Sequence, residues 1–356
     1  MPSLIGCMRT RIKIQYLGLQ ASVVPTLMRI RYRLFRRGPR WAQNLLDRML
    51  GQLEQNLFQM SRDFRPSVSS PASPIEVHTV LCSRHVNYFI WAATCFQWCC
   101  GDARFVVHDD GSLTGDDEHV LYKTLGNSNV EFVRRADADA LLADELAEFP
   151  SCQRRRAFDA FGLKLFDTWL LAKSERIVLM DSDVLFLRRD LDWWAQWMNC
   201  NSLVYNEEPG NYSHCAEHFC GRDALKVGFN SGLMILDRVH LRLPELEEFF
   251  SRFFNGHYSM VGEQTDQLFY ATLGNRVPSV PFDRSVRLTP LEPRMVRPER
   301  VRAVHFHSCN KRYFAFMGIQ YLLRYEKQRV SQFLITHHLD ECHQSHHPNM
   351  PNLNDV

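Results

Sequence analysis

The 356-residue sequence has no run of about 18 apolar residues, so nothing in it reads as a membrane-spanning helix. The longest uncharged piece near its start, Ile14–Met28, is interrupted by Gln15, Gln20, Ser22 and Pro25 and carries no clear signal-peptide cleavage pattern. No internal repeat is visible. A net charge of only +2 makes the whole molecule a poor nucleic-acid binder. The 11 cysteines are odd in number and fit no small disulfide framework. Cys95, Cys99 and Cys100 lie in apolar runs and read as buried free thiols, which points to a reducing, cytoplasmic compartment. What the sequence does have is apolar content: 45% hydrophobic and 12% aromatic residues are enough for a large globular core.

Charge is unevenly distributed. Residues 1–65 hold 12 basic side chains against Asp47, Glu54 and Asp63, so a leader of net +9 precedes an acidic body. The Ser/Pro-rich stretch 67–74 has nothing to bury and reads as a linker. It separates a basic helical extension, 1–66, from a main domain at 75–320, with a C-terminal helix and His-rich tail at 321–356. In the leader, Leu45, Leu46, Met49, Leu50, Leu53 and Leu57 fall near helical spacing behind a run of arginines. Two readings of it stay open: a peripheral membrane-surface segment at the inner face of a membrane, or a helix packed on protein. The tail spacing His337–His347 matches no closed tetrahedral metal site and reads as polar tail.

After the linker, strand and helix patterns alternate. Val77–Ser83, Arg104–Gly111, Val130–Arg135 and Arg176–Met180 read as strands, and Tyr88–Cys100, Asp116–Gly126 and one long helix across Arg156–Ser174 as helices. That alternation predicts an α/β fold with a mostly parallel sheet covered by helices, binding ligand beyond the carboxyl ends of its strands.

The chemistry begins at the end of the fourth strand. In "RIVLMDSDVLFL" two acids, Asp181 and Asp183, interrupt an apolar run around Ser182. The period of a strand puts both on one face, where a divalent cation relieves their repulsion and oxygen ligands favour Mg²⁺ or Mn²⁺. The plainer alternative is a capped turn. Further on, "GFNSGLMILD" opens an apolar strand with Asn230, Ser231 and Gly232, two hydrogen-bonding side chains beside a glycine that permits close approach. "GEQTDQLF" crowds Glu263, Gln264 and Asp266 at a helix start. "VRAVHFHSCNKRYF" sets His305 and His307 on one face of a short strand, with Lys311 six residues after His305. A His with a Lys beyond it suits a metal–diphosphate site.

These segments resemble GT-A-fold glycosyltransferases, most closely glycosyltransferase family 8 and its bacterial relatives, over about residues 75–320. Asp181-Ser182-Asp183 matches the family's D-x-D motif. His305 to Lys311 matches the spacing of its C-terminal H-x-x-G-x-x-K-P-W motif, with Ser308 for Gly and Arg312-Tyr313 for Pro-Trp. The resemblance implies a GT-A fold and metal-dependent transfer of a sugar from a nucleotide-diphosphate-sugar, a UDP-hexose above all, to a hydroxyl acceptor, with retention. The acceptor would be a glycan, a lipid-linked molecule or a small molecule. It implies Asp181, Asp183 and His305 as ligands of Mn²⁺ or Mg²⁺, with His307 a rival. Ser83, Asn87, Tyr88, Lys164, Ser182, Asn230, Ser231, Gly232 and Lys311 would contact the donor, and Glu263, Gln264 and Asp266 would sit beside the reacting carbon. Two alternatives remain: a catalytically inactive domain of the same fold, or a sugar-phosphate nucleotidyltransferase. The latter usually has a Gly-rich loop after the first strand, where "CSRHVNYF" has no glycine.

Overall fold

The computed structural model describes residues 39–61, 75–208, 228–255, 264–288, 300–307, 311 and 314. The chain divides into two compact units, one of residues 1–61 with 315–356 and one of residues 62–314. In the first unit the described element is helix α1 (Arg40–Ser61). Its Leu46, Leu50 and Phe58 are buried, while Trp41, Leu45 and Met49 are exposed.

The second unit follows the alternation read from the sequence. β1 (Glu76–Leu81) leads through a short 3₁₀ turn into α2 (Val86–Cys100). β2 (Arg104–Asp109), α3 (Gly115–Leu125), β3 (Val130–Val133) and α4 (Arg135–Leu142) follow. The long helix expected across Arg156–Ser174 is in fact two, α5 (Pro150–Phe158) and α6 (Ala160–Leu170). The break is Asp159, whose extended backbone caps α6, its carboxylate accepting from the Gly162 N–H at 2.9 Å. Gly162 allows the two helices to meet closely: a Cβ there would lie 2.2 Å from the Arg155 carbonyl oxygen. A bidentate pair then fixes α5 to α6, with Arg156 donating to both Asp167 oxygens at 2.6 and 2.9 Å.

Next come β4 (Arg176–Met180), β5 (Val184–Phe186), α7 (Leu191–Met198), β6 (Leu203–Glu207), β7 (Phe229–Asp237), α8 (Leu243–Asn255) and α9 (Gln264–Gly274). β8 (Ser279–Pro281), β9 (Val286–Leu288) and β10 (Ala303–His305) complete the described elements. The main sheet has seven strands in the order β3-β2-β1-β4-β7-β6-β8. It is mostly parallel, as expected; β7 alone among these strands runs against its neighbours β4 and β6. A second sheet, β5-β10-β9, branches off beyond β4. The core on one face joins α6, α8 and α9 to the strands through Phe166, Trp169, Phe250, Phe269 and Tyr270. The thiols Cys95, Cys99 and Cys100 of α2 are buried and stand in no disulfide, as their apolar surroundings predict.

The strand interior also carries a buried polar pair. His78 on β1 and His108 on β2 stack with ring centroids 5.3 Å apart, and His78 Nδ1 lies 3.0 Å from His108 Nε2. His78 Nε2 faces the Glu76 carboxylate at 3.4 Å. Burial, the dominant cause, drives His78 down to about 3, with Glu131 opposing and Arg238 assisting; His108 is pushed well below its ordinary value by burial, His78 and Arg156. Both rings are therefore neutral when folded and take up protons near pH 6.5 when unfolded. The unfolded state binds more protons between those values, so this stability is complete above pH 6.5 and is lost as pH falls. We expect denaturant-measured stability to drop by a few kcal/mol from pH 7 to pH 4. The double variant His78→Leu/His108→Leu should show a distinctly shallower acid limb, and parallel limbs would refute the assignment.

Candidate functional site

The carboxyl end of β4 is where the main sheet and the branch sheet part. The chain leaves β4 after Met180, so Asp181 and Asp183 do not share one continuous strand as their spacing predicts. They flank Ser182 in a turn closed by the Val184 N–H donating to the Asp181 carbonyl at 3.1 Å. The turn, rather than a two-residue strand period, brings the carboxylates together. Asp181 is half-buried; Ser182 and Asp183 are buried.

Two strands running the other way complete the site. β7 pairs with β4 from Leu233 opposite Met180, so its first residues run past the end of β4 and along the turn. The Asp181 N–H donates to the Gly232 carbonyl at 2.8 Å, which locks this overlap. β10 pairs antiparallel with β5, His305 opposite Val184, and the Phe306 N–H donates to the Asp183 carbonyl at 2.9 Å. His305 is the last residue of β10 and is thereby held over both acids. Its Nε2 lies 3.2 Å from Asp183 Oδ1 and 3.6 Å from Asp181 Oδ2. His307 lies beyond the strand end and half-buried, its ring centroid 5.6 Å from that of His305.

The state of the His305 ring follows from its other nitrogen. Nδ1 lies 2.8 Å from Asn230 Oδ1. That amide has one sensible orientation: Oδ1 also accepts the Gly232 N–H at 3.0 Å, and Nδ2 donates to Glu208 Oε2 at 3.1 Å. Nδ1 therefore carries a hydrogen, which leaves Nε2 to face the two carboxylates, as a donor to Asp183 when the ring is protonated and as a ligand lone pair when a metal ion is bound. Such a face is satisfied by a cation. The potential ligand atoms of Asp181, Asp183 and His305 all lie within 4.8 Å of one another, and two oxygens with one imidazole nitrogen suit a divalent metal whose histidine ligand is backed by a hydrogen-bond acceptor. Gly232 is required for this arrangement, because a Cβ there would fall 2.1 Å from His305 Cε1.

Two lysines flank the acids. Buried Lys164, from α6, has Nζ 2.7 Å from Asp181 Oδ1 and donates to Ser231 Oγ at 3.2 Å. Ser231 donates in turn to Asp266 Oδ2, from α9, at 2.8 Å. Lys311 Nζ lies 3.2 Å from Asp183 Oδ2. Burial pushes the Asp183 carboxyl up, but His305 and Lys311 outweigh it and hold the group below the usual carboxylate range. Burial dominates at Asp266 and raises it to about 6 against Lys164 and the Ser231 hydroxyl.

Thus Asp181, Ser182, Asp183, Lys164, Ser231, Gly232, Asp266, His305 and Lys311 converge. Asn230 is also present, but it serves His305 instead of facing open space. The Ser83 hydroxyl is engaged by Asp117 at 2.7 Å, an acid the sequence reading did not single out. Asn87 and Tyr88 are half-buried at the start of α2, Tyr88 packing on Phe314 at 5.2 Å and on His85 at 5.7 Å. His85 is a further residue that the sequence reading passed over: burial, then Lys311 and Arg84, lower it to about 4, and Asp183 and Asp181 also act on it. Glu263 and the side chain of Gln264 lie outside the described residues, as does most of the loop Asn206–Arg222.

Removing the partner of Nδ1 should release the His305 ring. We expect Asn230→Ala to weaken Mn²⁺ binding, measured by calorimetry, by about 10–100-fold. Gly232→Ala should weaken it at least as much, by displacing the ring outright. Wild-type affinity in both variants would remove His305 from the metal-binding group.

No protein-family model matches the sequence, and no curated protein matches it by sequence. Solved structures similar to the chain include the galactosyltransferase LgtC in complex with donor and acceptor sugar analogues. That match has a TM-score of 0.47 and 16% identity, over 69% of this chain and 95% of LgtC. Mouse xyloside xylosyltransferase 1 gives 0.44 and 16%, over 67% of this chain and 98% of that one. A bifunctional glycosyltransferase, WbbM, gives 0.40 and 10%, over 71% of this chain and 51% of that one. Each of these is a glycosyltransferase, similar to this chain at low identity, and the functional reading rests on the geometry of the site itself.

Proposed function

We propose that the chain is a metal-dependent glycosyltransferase. It would move a sugar from a nucleotide-diphosphate-sugar, with UDP-hexose the leading donor, to the hydroxyl of a glycan, a lipid-linked molecule or a small molecule. The observation that supports this reading best is the group Asp181, Asp183 and His305, with its imidazole tautomer set by Asn230, flanked by the ammonium groups of Lys164 and Lys311. Two carboxylates and one imidazole fit a divalent cation, and the carboxylates favour Mn²⁺ or Mg²⁺. When bound, such an ion supplies Lewis acidity toward a diphosphate leaving group.

The chain's own residues do the rest. Asp181 and Asp183 each have an ammonium neighbour, and a diphosphate arriving at this edge would compete for the same two lysines. Lys311 is the half-buried one and the more accessible to a phosphate; Lys164 is buried and holds its charge in place. Such fixed charges stabilise a developing oxyanion without having to reorganise. Ser231 and Asp266 offer hydroxyl and carboxylate groups for sugar hydroxyls, and Gly232 keeps the floor low. Glu263 and Gln264 remain candidates beside the reacting carbon. Retention of anomeric configuration is part of the proposal and rests on the resemblance of the motifs.

Nucleotide-sugar hydrolysis and transfer assays with and without Mn²⁺ test the reading. Asp183→Asn keeps the shape and removes one charge, so it should lower metal-dependent turnover by at least about a hundredfold with the fold intact. Turnover at the wild-type rate under saturating Mn²⁺ would reject the metal role, and absence of any turnover in the wild type across a donor panel would favour a non-catalytic domain. His305→Ala should lose more Mn²⁺ affinity than His307→Ala; the reverse order would transfer the ligand role to His307.

A further inference from the structure

Helix α1 of the first unit presents two unlike faces. Leu46 and Leu50 are buried, at 6% and 3% exposure, whereas Trp41, Leu45 and Met49 stand out at 69%, 48% and 47%. These three are four residues apart in turn, so they form one continuous apolar stripe across the first two turns and more. A soluble surface commonly shows single apolar side chains, but an aligned Trp, Leu and Met is a patch that needs an occupant.

The charges beside the stripe identify that occupant. Arg40 and Arg48 are exposed; Arg48 falls beside Trp41 on the helical wheel, on the side away from Met49, and Arg40 precedes Trp41 at the helix start. The acids of the helix, Asp47 and Glu54, are half-buried and fall on the flank away from the stripe. The segment belongs to a leader with 12 basic residues against three acids over residues 1–65, six of the arginines lying between Arg29 and Arg40. Apolar side chains with a Trp and an arginine border, and no exposed acid among them, complement an anionic bilayer surface. The Trp and the arginine stems sit at the headgroup level while Leu and Met enter the acyl boundary. No described helix is long and apolar enough to cross a membrane, so α1 would lie in the interface plane.

We propose that the exposed face of α1, Trp41–Leu45–Met49 bordered by Arg40 and Arg48, docks the protein on an anionic phospholipid surface. The test reads binding, not turnover, so its outcome is separable from the reading of the Asp181 site. Full-length protein is sedimented with vesicles of phosphatidylcholine alone or of phosphatidylcholine with phosphatidylglycerol. Partitioning should be at least about tenfold stronger onto the anionic vesicles and should fall as salt is raised from 0.1 to 0.5 M. Leu45→Gln/Met49→Gln should lose most of the binding. Arg40→Gln/Arg48→Gln should weaken it and flatten its salt dependence, and Trp41→Phe should retain more of it than Trp41→Ser. These positions are exposed, so unchanged circular dichroism is expected for each variant. Absence of wild-type binding, equal partitioning onto both vesicles, or unchanged binding in the Leu/Met and Arg variants would overturn the proposal. A concentration-dependent dimer abolished by Leu45→Gln/Met49→Gln, seen by light scattering without vesicle binding, would assign the stripe to a second copy and overturn it equally.

Discussion

Two carboxylates placed at one end of a buried strand repel each other, and burial removes the water that would screen them. Asp183 is almost fully enclosed, Asp181 about half so, and a single turn holds both. The arrangement stands because Lys164 and Lys311 supply two positive charges, one to each acid, and because His305 faces both. Breaking a buried pair by removing one partner leaves an uncompensated charge and costs several kcal/mol, roughly 3–5 in comparable cases. The elements around the site are best understood by this demand. α6 must bring Lys164 to Asp181, β10 must bring His305 over the turn, and the residues after β10 must bring Lys311 to Asp183.

Antiparallel pairing is what makes that convergence affordable in so short a distance. In an all-parallel sheet every strand would deliver its carboxyl end to this edge and leave through a loop. β7 instead enters here, so Asn230, Ser231 and Gly232 come in ordered strand geometry alongside the acids. β10 also runs against β5, and its last residue meets the first residue of that strand. Three of the side chains around the acids are thus positioned by backbone ladders, and rigid elements hold a site more accurately than loops do. Asn230 illustrates the benefit: an amide fixed from two sides can fix an imidazole in turn.

Much of this was legible in the sequence, and the limits were physical. The alternation of apolar strands and helices gave the sheet, because period and length are local properties. Asp181, Asp183, Ser231, Asp266, His305 and Lys311 could be picked out by residue type and spacing and Lys164 by the resemblance of the motifs, and the structure brings them together. The strand period was applied across Ser182, with a turn only as the alternative, because the residues on both sides are apolar and buried, and periodicity alone cannot register a change of sheet between β4 and β5. The long helix was misread because Asp159 and Gly162 look tolerable within a helix; the break is the extended, capping Asp159, and Gly162 leaves room for α5 and α6 to meet. That Asn230 supports His305 was not legible, because the two are 75 positions apart and meet only through the registers of β7 and β10. The roles of Asp117 and His85 were hidden for the same reason.

The polar groups behind the site carry a cost that their surroundings do not repay. Asp266 is fully buried with Oδ1 unpartnered among the described residues, and the Tyr270 hydroxyl and two donors of the fully buried Arg155 are likewise unpartnered. Each such group forfeits roughly 1–3 kcal/mol of desolvation. Burial lifts Asp266 from the ordinary 3.8 to about 6. The folded state therefore binds the extra proton between those values, and stability declines as pH rises through them, the opposite sense to the buried histidines of β1 and β2. A chain selected for stability alone would put apolar side chains at these positions. Asp266 instead sits on the Ser231 hydroxyl, within the field of Lys164 and Asp181, an arrangement that supports the proposed reading of the site because perturbed, buried polar groups cluster where ligands bind.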